Sequence, residues 1–247
     1  MKSVLISLGL LLLFPLSVSS QDVEAIIKRV EDNLNGKTAR MTLSMTVTTK
    51  RATRTMEMES FSEGNTKSFI RILYPGKDKG ITFLKIDNAM WQYIPRIEKI
   101  IKIPASMMLQ SWMGSDFTND DLVKESSMTK DYTPTLVEQT DDVYRVELMP
   151  REDAPVVWGK IVMDIGAELY LPRIMIYFAE DGEQVRTIEY LDVQIFGNRA
   201  YPTRWVVTPI SPTKKGHQKD IKVQEAVFDA PIDANRFSKR ALKRYSR

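Results

Sequence analysis

The chain has 247 residues, a formal charge of +3 and no cysteine. That length allows one large domain or two small ones with a sizeable core. The near-balanced charge argues against nucleic acid as a partner, and without thiols neither a disulfide framework nor a cysteine metal site can form. Methionine is the unusual component at 13 residues; it is flexible and polarizable, and suits surfaces that accept varied apolar partners.

Residues 1–20 read as a signal peptide. Met1 and Lys2 give a cationic start, an apolar run extends from Val4 to Leu13, and Phe14-Pro15 breaks it. Ser17, Val18, Ser19 and Ser20 then supply the small residues that precede a cut after Ser20. The apolar run is about half the length needed to span a bilayer, which favours a cleaved leader over a retained anchor. No Cys follows it, so a lipid anchor is excluded. Residues 21–247 are expected to form one soluble, monomeric domain outside the cytoplasm, in the periplasm of a Gram-negative cell.

The mature chain opens with a helix. Val23, Ile26, Ile27, Val30 and Leu34 fall within about a 100° arc, and Asn35-Gly36 ends it, with Gly36 suited to a left-handed C-terminal cap. The period then changes to two: Met41, Leu43, Met45 and Val47 alternate with hydroxyl residues, as in a half-buried strand. Further strands are predicted over 55–61 and 67–74, a hairpin over 81–94 turns at Asp87-Asn88, and a strand covers 99–103. After Pro104 the alternation stops. Residues 105–113 carry no Gly and no β-branched side chain and read as a helix, with Met108, Leu109, Trp112 and Met113 on one face. Thr118 or Asn119 is placed to cap a second short helix to about Lys124. Strands resume over 135–139, 144–149, 158–164, 173–178, 184–195, 204–209 and 218–227. No repeat or low-complexity linker interrupts this single antiparallel meander.

Such a sheet can close as a barrel or curl around a helix. A curved sheet with the first helix and the methionine-rich insertion across its concave face buries all three apolar surfaces, and the space between is a natural apolar pocket.

The central segment carries a family resemblance. Met90-Trp91-Gln92-Tyr93-Ile94-Pro95, then Lys99 to Ile103, then Ser111-Trp112-Met113-Gly114-Ser115-Asp116-Phe117-Thr118-Asn119-Asp120-Asp121-Leu122 resembles the LolA-like outer-membrane lipoprotein-sorting proteins, in particular a poorly characterised branch. The resemblance implies a mainly β fold with helices (α+β), in which a single curved antiparallel sheet forms an unclosed β-barrel under a helical lid. It also implies a periplasmic carrier that shields acyl chains of lipoproteins or lipids on the way to the outer membrane. An inner-membrane transporter would load it and an outer-membrane acceptor would unload it; no metal, cofactor or catalysis is implied. The chain is longer than the well-known carriers, and the arginine that holds their lid has no aligned counterpart, although Arg71 and Arg96 lie in plausible strands. Two rivals use the same fold or compartment: an envelope sensor or adaptor without transfer activity, and an envelope hydrolase.

The candidate lid is Met108, Leu109, Trp112 and Met113, whose alternative is a plain core helix. The candidate cavity lining is Met41, Leu43, Met45, Met56 and Met58, whose alternative is sheet core. Trp91 and Tyr93 share one strand face and are placed at the cavity mouth or simply packed. Catalytic patterns are weak. His217 is the only histidine and lies in an exposed-looking turn. Ser127 and Lys130 have a Ser-x-x-Lys spacing without companion motifs, and Asp116, Asn119, Asp120 and Asp121 do not match a calcium loop. The basic run from Arg236 to Arg247 reads as a solvated tail or a contact for anionic headgroups.

Overall fold

Each face of a single sheet carries a different helix, one along the inner face and one over part of the outer face. The structure, a computed structural model, describes residues 20–108, 110–114, 119, 128–154, 156–211 and 214–247. Helix α1 (Ser20–Asn35) precedes β1 (Thr38–Thr48), β2 (Thr53–Glu63), β3 (Lys67–Tyr74), β4 (Thr82–Ile86), β5 (Ala89–Ile94) and β6 (Lys99–Lys102). After the insertion come β7 (Tyr132–Gln139), β8 (Val143–Pro150), β9 (Lys160–Gly166), β10 (Pro172–Phe178), β11 (Gln184–Phe196), β12 (Arg199–Pro209) and β13 (Gln218–Phe228). The spatial order is β6-β5-β4-β3-β2-β1-β13-β12-β11-β10-β9-β8-β7, antiparallel throughout, so β6 and β7 are edges and the sheet is not closed. The expected single meander is in fact two, β1–β6 and β7–β13, joined where the first strand pairs with the last (Met45 opposite Ile221). The pairing slips by one residue at Thr42/Leu43 against β13, at Glu57/Met58 against β3 and at Pro172/Ile174 against β9. Such bulges bend and twist strands and let a long sheet curl.

The inner face carries α1. Val23, Ile27 and Val30 are buried against Met45, Met58, Val207 and Ile221 in one core cluster. Gly36 ends the helix at φ +61°, and its N–H donates to the Asp32 carbonyl (3.0 Å). Arg199 secures that end by donating to the carbonyls of Asp32 and Asn33 (2.5 and 3.0 Å) while pairing with Asp229 (2.7 Å). The Asn33 carbonyl, one of those that a helix end leaves unbonded, is thereby satisfied.

The outer face carries the C-terminal segment. Phe237, Ala241 and Leu242 pack on Phe61, Phe69, Leu84 and Tyr93. Ser238 caps the helix Lys239–Arg244 by accepting from Ala241 N–H, and the Leu242 carbonyl accepts from Thr82 Oγ1 (2.8 Å). The run expected to be a solvated tail or a headgroup contact is therefore partly core: its apolar residues face the sheet, the Arg236 guanidinium lies 4.1 Å from the Phe61 ring, and Lys239, Arg240, Lys243 and Arg244 are exposed. Arg71, one of the two arginines weighed as a lid holder, lies on this outer side, paired with buried Glu59 (2.9 Å). Arg96 sits in a short 3-10 turn, Pro95–Ile97, and is exposed.

The insertion departs from its expected form. Instead of one helix over 105–113 there are two 3-10 turns, Ala105–Met107 and Trp112–Gly114, with Met113 left-handed at φ +50°. The carbonyls an α-helix would use are taken by other donors. Asn119 Nδ2 donates to Met107 O (3.0 Å), Asn119 N–H to Gln110 O (3.0 Å) and Arg54 Nη2 to Met113 O. Of the expected second helix, only Asn119 is described, and Leu109 also lies outside the described residues. The segment connects the two sheet edges and ends in a one-turn helix, Met128–Asp131.

Candidate functional site

A cavity of about 280 Å³ lies between α1, the insertion and the inner face of the sheet. Its wall begins with Met41, Leu43 and Met45 of β1 and Met58 of β2, which the two-residue period of a strand directs to one face. Trp112 closes it from the insertion; this indole is buried and meets the Phe83 ring at 5.4 Å. The far wall is aromatic: Trp158, Tyr177, Tyr190, Tyr201 and Trp205. Here tyrosine hydroxyls donate to methionine sulfurs, Tyr190 and Tyr177 to Met175 (3.4 and 3.7 Å) and Tyr201 to Met41 (3.9 Å). Polarizable sulfur beside aromatic rings makes a surface that fits irregular apolar shapes.

Two charged groups interrupt this apolar wall. Arg186 of β11 lies between two rings, with its guanidinium carbon 4.5 Å from the centroids of both Trp158 and Tyr177. Glu31 of α1 is 6% exposed; its Oε2 accepts from Thr129 Oγ1 (2.7 Å), and its Oε1 is buried without a hydrogen-bond partner. Burial pushes the Glu31 carboxyl above the usual carboxylate range, partly offset by the Thr129 hydrogen bond. Lys219, fully buried on β13 opposite Val47 and Val207, has its ammonium pushed down to about 8 by desolvation.

The structure brings together Met41, Leu43, Met45, Met58 and Trp112 around the cavity. Met56 is buried in the adjoining core, and Met108 and Met113 pack against that core partly buried. Trp91 and Tyr93 are not at the cavity mouth. They lie on the outer face beside Phe237 and Leu242, with Lys239 Nζ 4.8 Å from the Trp91 ring, while their neighbour Met90 takes the inner face. Among the described residues no group of His, Cys, Asp or Glu is placed to hold a metal ion.

A family model described as "Uncharacterized protein" matches residues 64–244, most of the chain. The chain belongs to the family that this model describes. Its fold is that of solved LolA-like structures. A domain named as a candidate outer membrane lipoprotein-sorting protein, from Vibrio parahaemolyticus, superimposes at TM-score 0.78 with 18% identity, covering 91% of this chain and 100% of its own. A DUF1329 family protein of Desulfovibrio piger gives TM-score 0.81 at 18% identity over 90% and 98% of the two chains. A LolA superfamily protein of Nitrosomonas europaea gives 0.72 at 16% over 89% and 98%. No curated protein matches the chain.

In this chain the aromatic far wall and the two charges are the parts that sequence reading missed. Arg186, Ile188 and Tyr190 share one face of β11 by simple alternation, as do Tyr201 and Trp205 on β12. The signal in these strands is the two-residue alternation itself, which sets these side chains on the cavity face. Glu31 follows Ile27 by four residues, which sets it beside the apolar stripe of α1.

Proposed function

We propose that this protein is a carrier that binds the acyl chains of lipoproteins or lipids in the inner-face cavity and moves them toward the outer membrane, without chemistry of its own. The supporting observation is the cavity: an apolar wall rich in methionine and aromatic side chains, on an unclosed sheet, shut on one side by Trp112 of the insertion. At about 280 Å³ it is at the small end of ligand pockets. A long acyl chain needs more room, and on this reading the insertion, whose Trp112 closes the cavity, is the element that yields. Closed-empty and open-loaded states then differ by little, since cargo replaces protein as packing partner at about 25 cal/mol per Å² of apolar surface. On this reading residues 1–20 are a cleaved leader, the mature protein works in the periplasm, an inner-membrane transporter loads it and an outer-membrane acceptor receives the cargo. No helix among the described residues is long and apolar enough to cross a membrane.

The test is native mass spectrometry of protein purified from its own periplasm, with titration of the delipidated form by a fluorescent fatty acid. Co-purifying lipid and saturable, stoichiometric binding are expected. Absence of saturable binding would overturn the carrier reading and leave a sensor or adaptor that works through a protein partner.

A further inference from the structure

We propose that the C-terminal helix and the edge strand β6 together form a docking surface for an anionic phospholipid bilayer. Four of the six residues of the helix Lys239–Arg244 are basic and all four are exposed, while Ala241 and Leu242 pack on the sheet. The β5–β6 register sets Ile100 opposite Tyr93 and Lys102 opposite Trp91, so both lie on the outer face with that helix. Lys239 Nζ and Lys102 Nζ approach the Trp91 ring from these two elements, at 4.8 and 5.9 Å. Among the described residues neither lysine has a carboxylate partner, and the Glu98 carboxylate pairs with Lys243 instead (3.7 Å). Two like charges held at one ring repel, and an anion that settles between them removes that cost.

Apolar side chains at the same edge select the occupant. Ile100 is 42% exposed, and Ile97, in the turn between β5 and β6, is 52% exposed. An acidic protein would answer the cations but has no required match for these isoleucines. An anionic bilayer answers both: its phosphates meet the lysines and arginines, and its acyl boundary takes the isoleucines. An indole flanked by cations suits the headgroup level between them. The surface lies on the opposite face of the sheet from the cavity, and the inference does not depend on the carrier reading.

The experiment is sedimentation of the purified protein with vesicles of phosphatidylcholine alone, and of phosphatidylcholine with an equal part of phosphatidylglycerol. Binding is expected to the second vesicles only. Lys102→Glu/Lys239→Glu should lower the partition coefficient at least about tenfold, and Ile100→Ser about fivefold. Lys215→Glu/Lys222→Glu reverses two exposed charges at β13, six strands away across the sheet, and should leave binding unchanged. Thermal unfolding of each variant at the wild-type temperature establishes that it is folded. Equal binding to both vesicles, no binding to either, or an equal loss in the β13 variant overturns the docking surface. Unchanged binding by Ile100→Ser beside a loss in Lys102→Glu/Lys239→Glu overturns the bilayer as occupant, and leaves a cationic face suited to an acidic protein.

Discussion

Trp112 belongs to two environments at once. Its ring packs on Phe83 within the main core and also closes the cavity. Trp112→Ala is expected to cost about 3 kcal/mol in urea unfolding and to weaken binding of an apolar probe in the molecules that remain folded; unchanged affinity would remove the insertion from the binding site. Lys219 makes a second residue-scale expectation. Its folded-state value of about 8 lies below its ordinary 10.5, so between these values the unfolded chain binds more protons than the native one. Stability should therefore rise with pH across that window and level off above it. Lys219→Met should flatten the rise, measured by urea midpoints across the window; an unaltered slope would mean that another group carries it. Single residues were legible in the sequence only where one face of a strand is buried. In β4 and β5 both faces are buried, so Phe83 and Leu84, or Met90 and Trp91, look equally apolar while packing on opposite sides. Glu31 was invisible for the opposite reason: a charged residue at the border of an apolar stripe looks like the start of the solvent face.

At the scale of elements, the strands and α1 were readable because alternation, helical period and the Asn35-Gly36 stop all agree with the final structure. The insertion was not, because side chains distant in sequence, Arg54 and Asn119, take carbonyls that local propensity would assign to a helix. The C-terminal helix was hidden by composition: a run dominated by Lys and Arg docks through Phe237, Ala241, Leu242 and Tyr245, with Arg236 over the Phe61 ring. The sheet separates that helix from the cavity. Leu242→Ala should accordingly cost about 3 kcal/mol yet leave probe affinity unchanged. Thermal unfolding and probe titration of the same variant check this, and a fall in affinity would show that the two faces communicate.

At the scale of the molecule, two local meanders meet along one long-range pairing, with Ala39 opposite Phe228 and Thr48 opposite Gln218. Each meander can grow hairpin by hairpin, but joining them requires closing a loop that includes nearly every other strand, an entropic cost met before any contact offsets it. Ile221→Ala, at that join, is expected to slow refolding in stopped-flow fluorescence; a change confined to the unfolding rate would place the joining step after the main barrier. If the chain is exported, as proposed above, the position of this pairing also bears on its passage. A polypeptide threaded across a membrane from its N-terminus delivers β1 early and β13 almost last. On the carrier reading, β1 would have an open side until β13 arrives and the two halves no shared core, so a chain exported in this way would join its halves only after crossing.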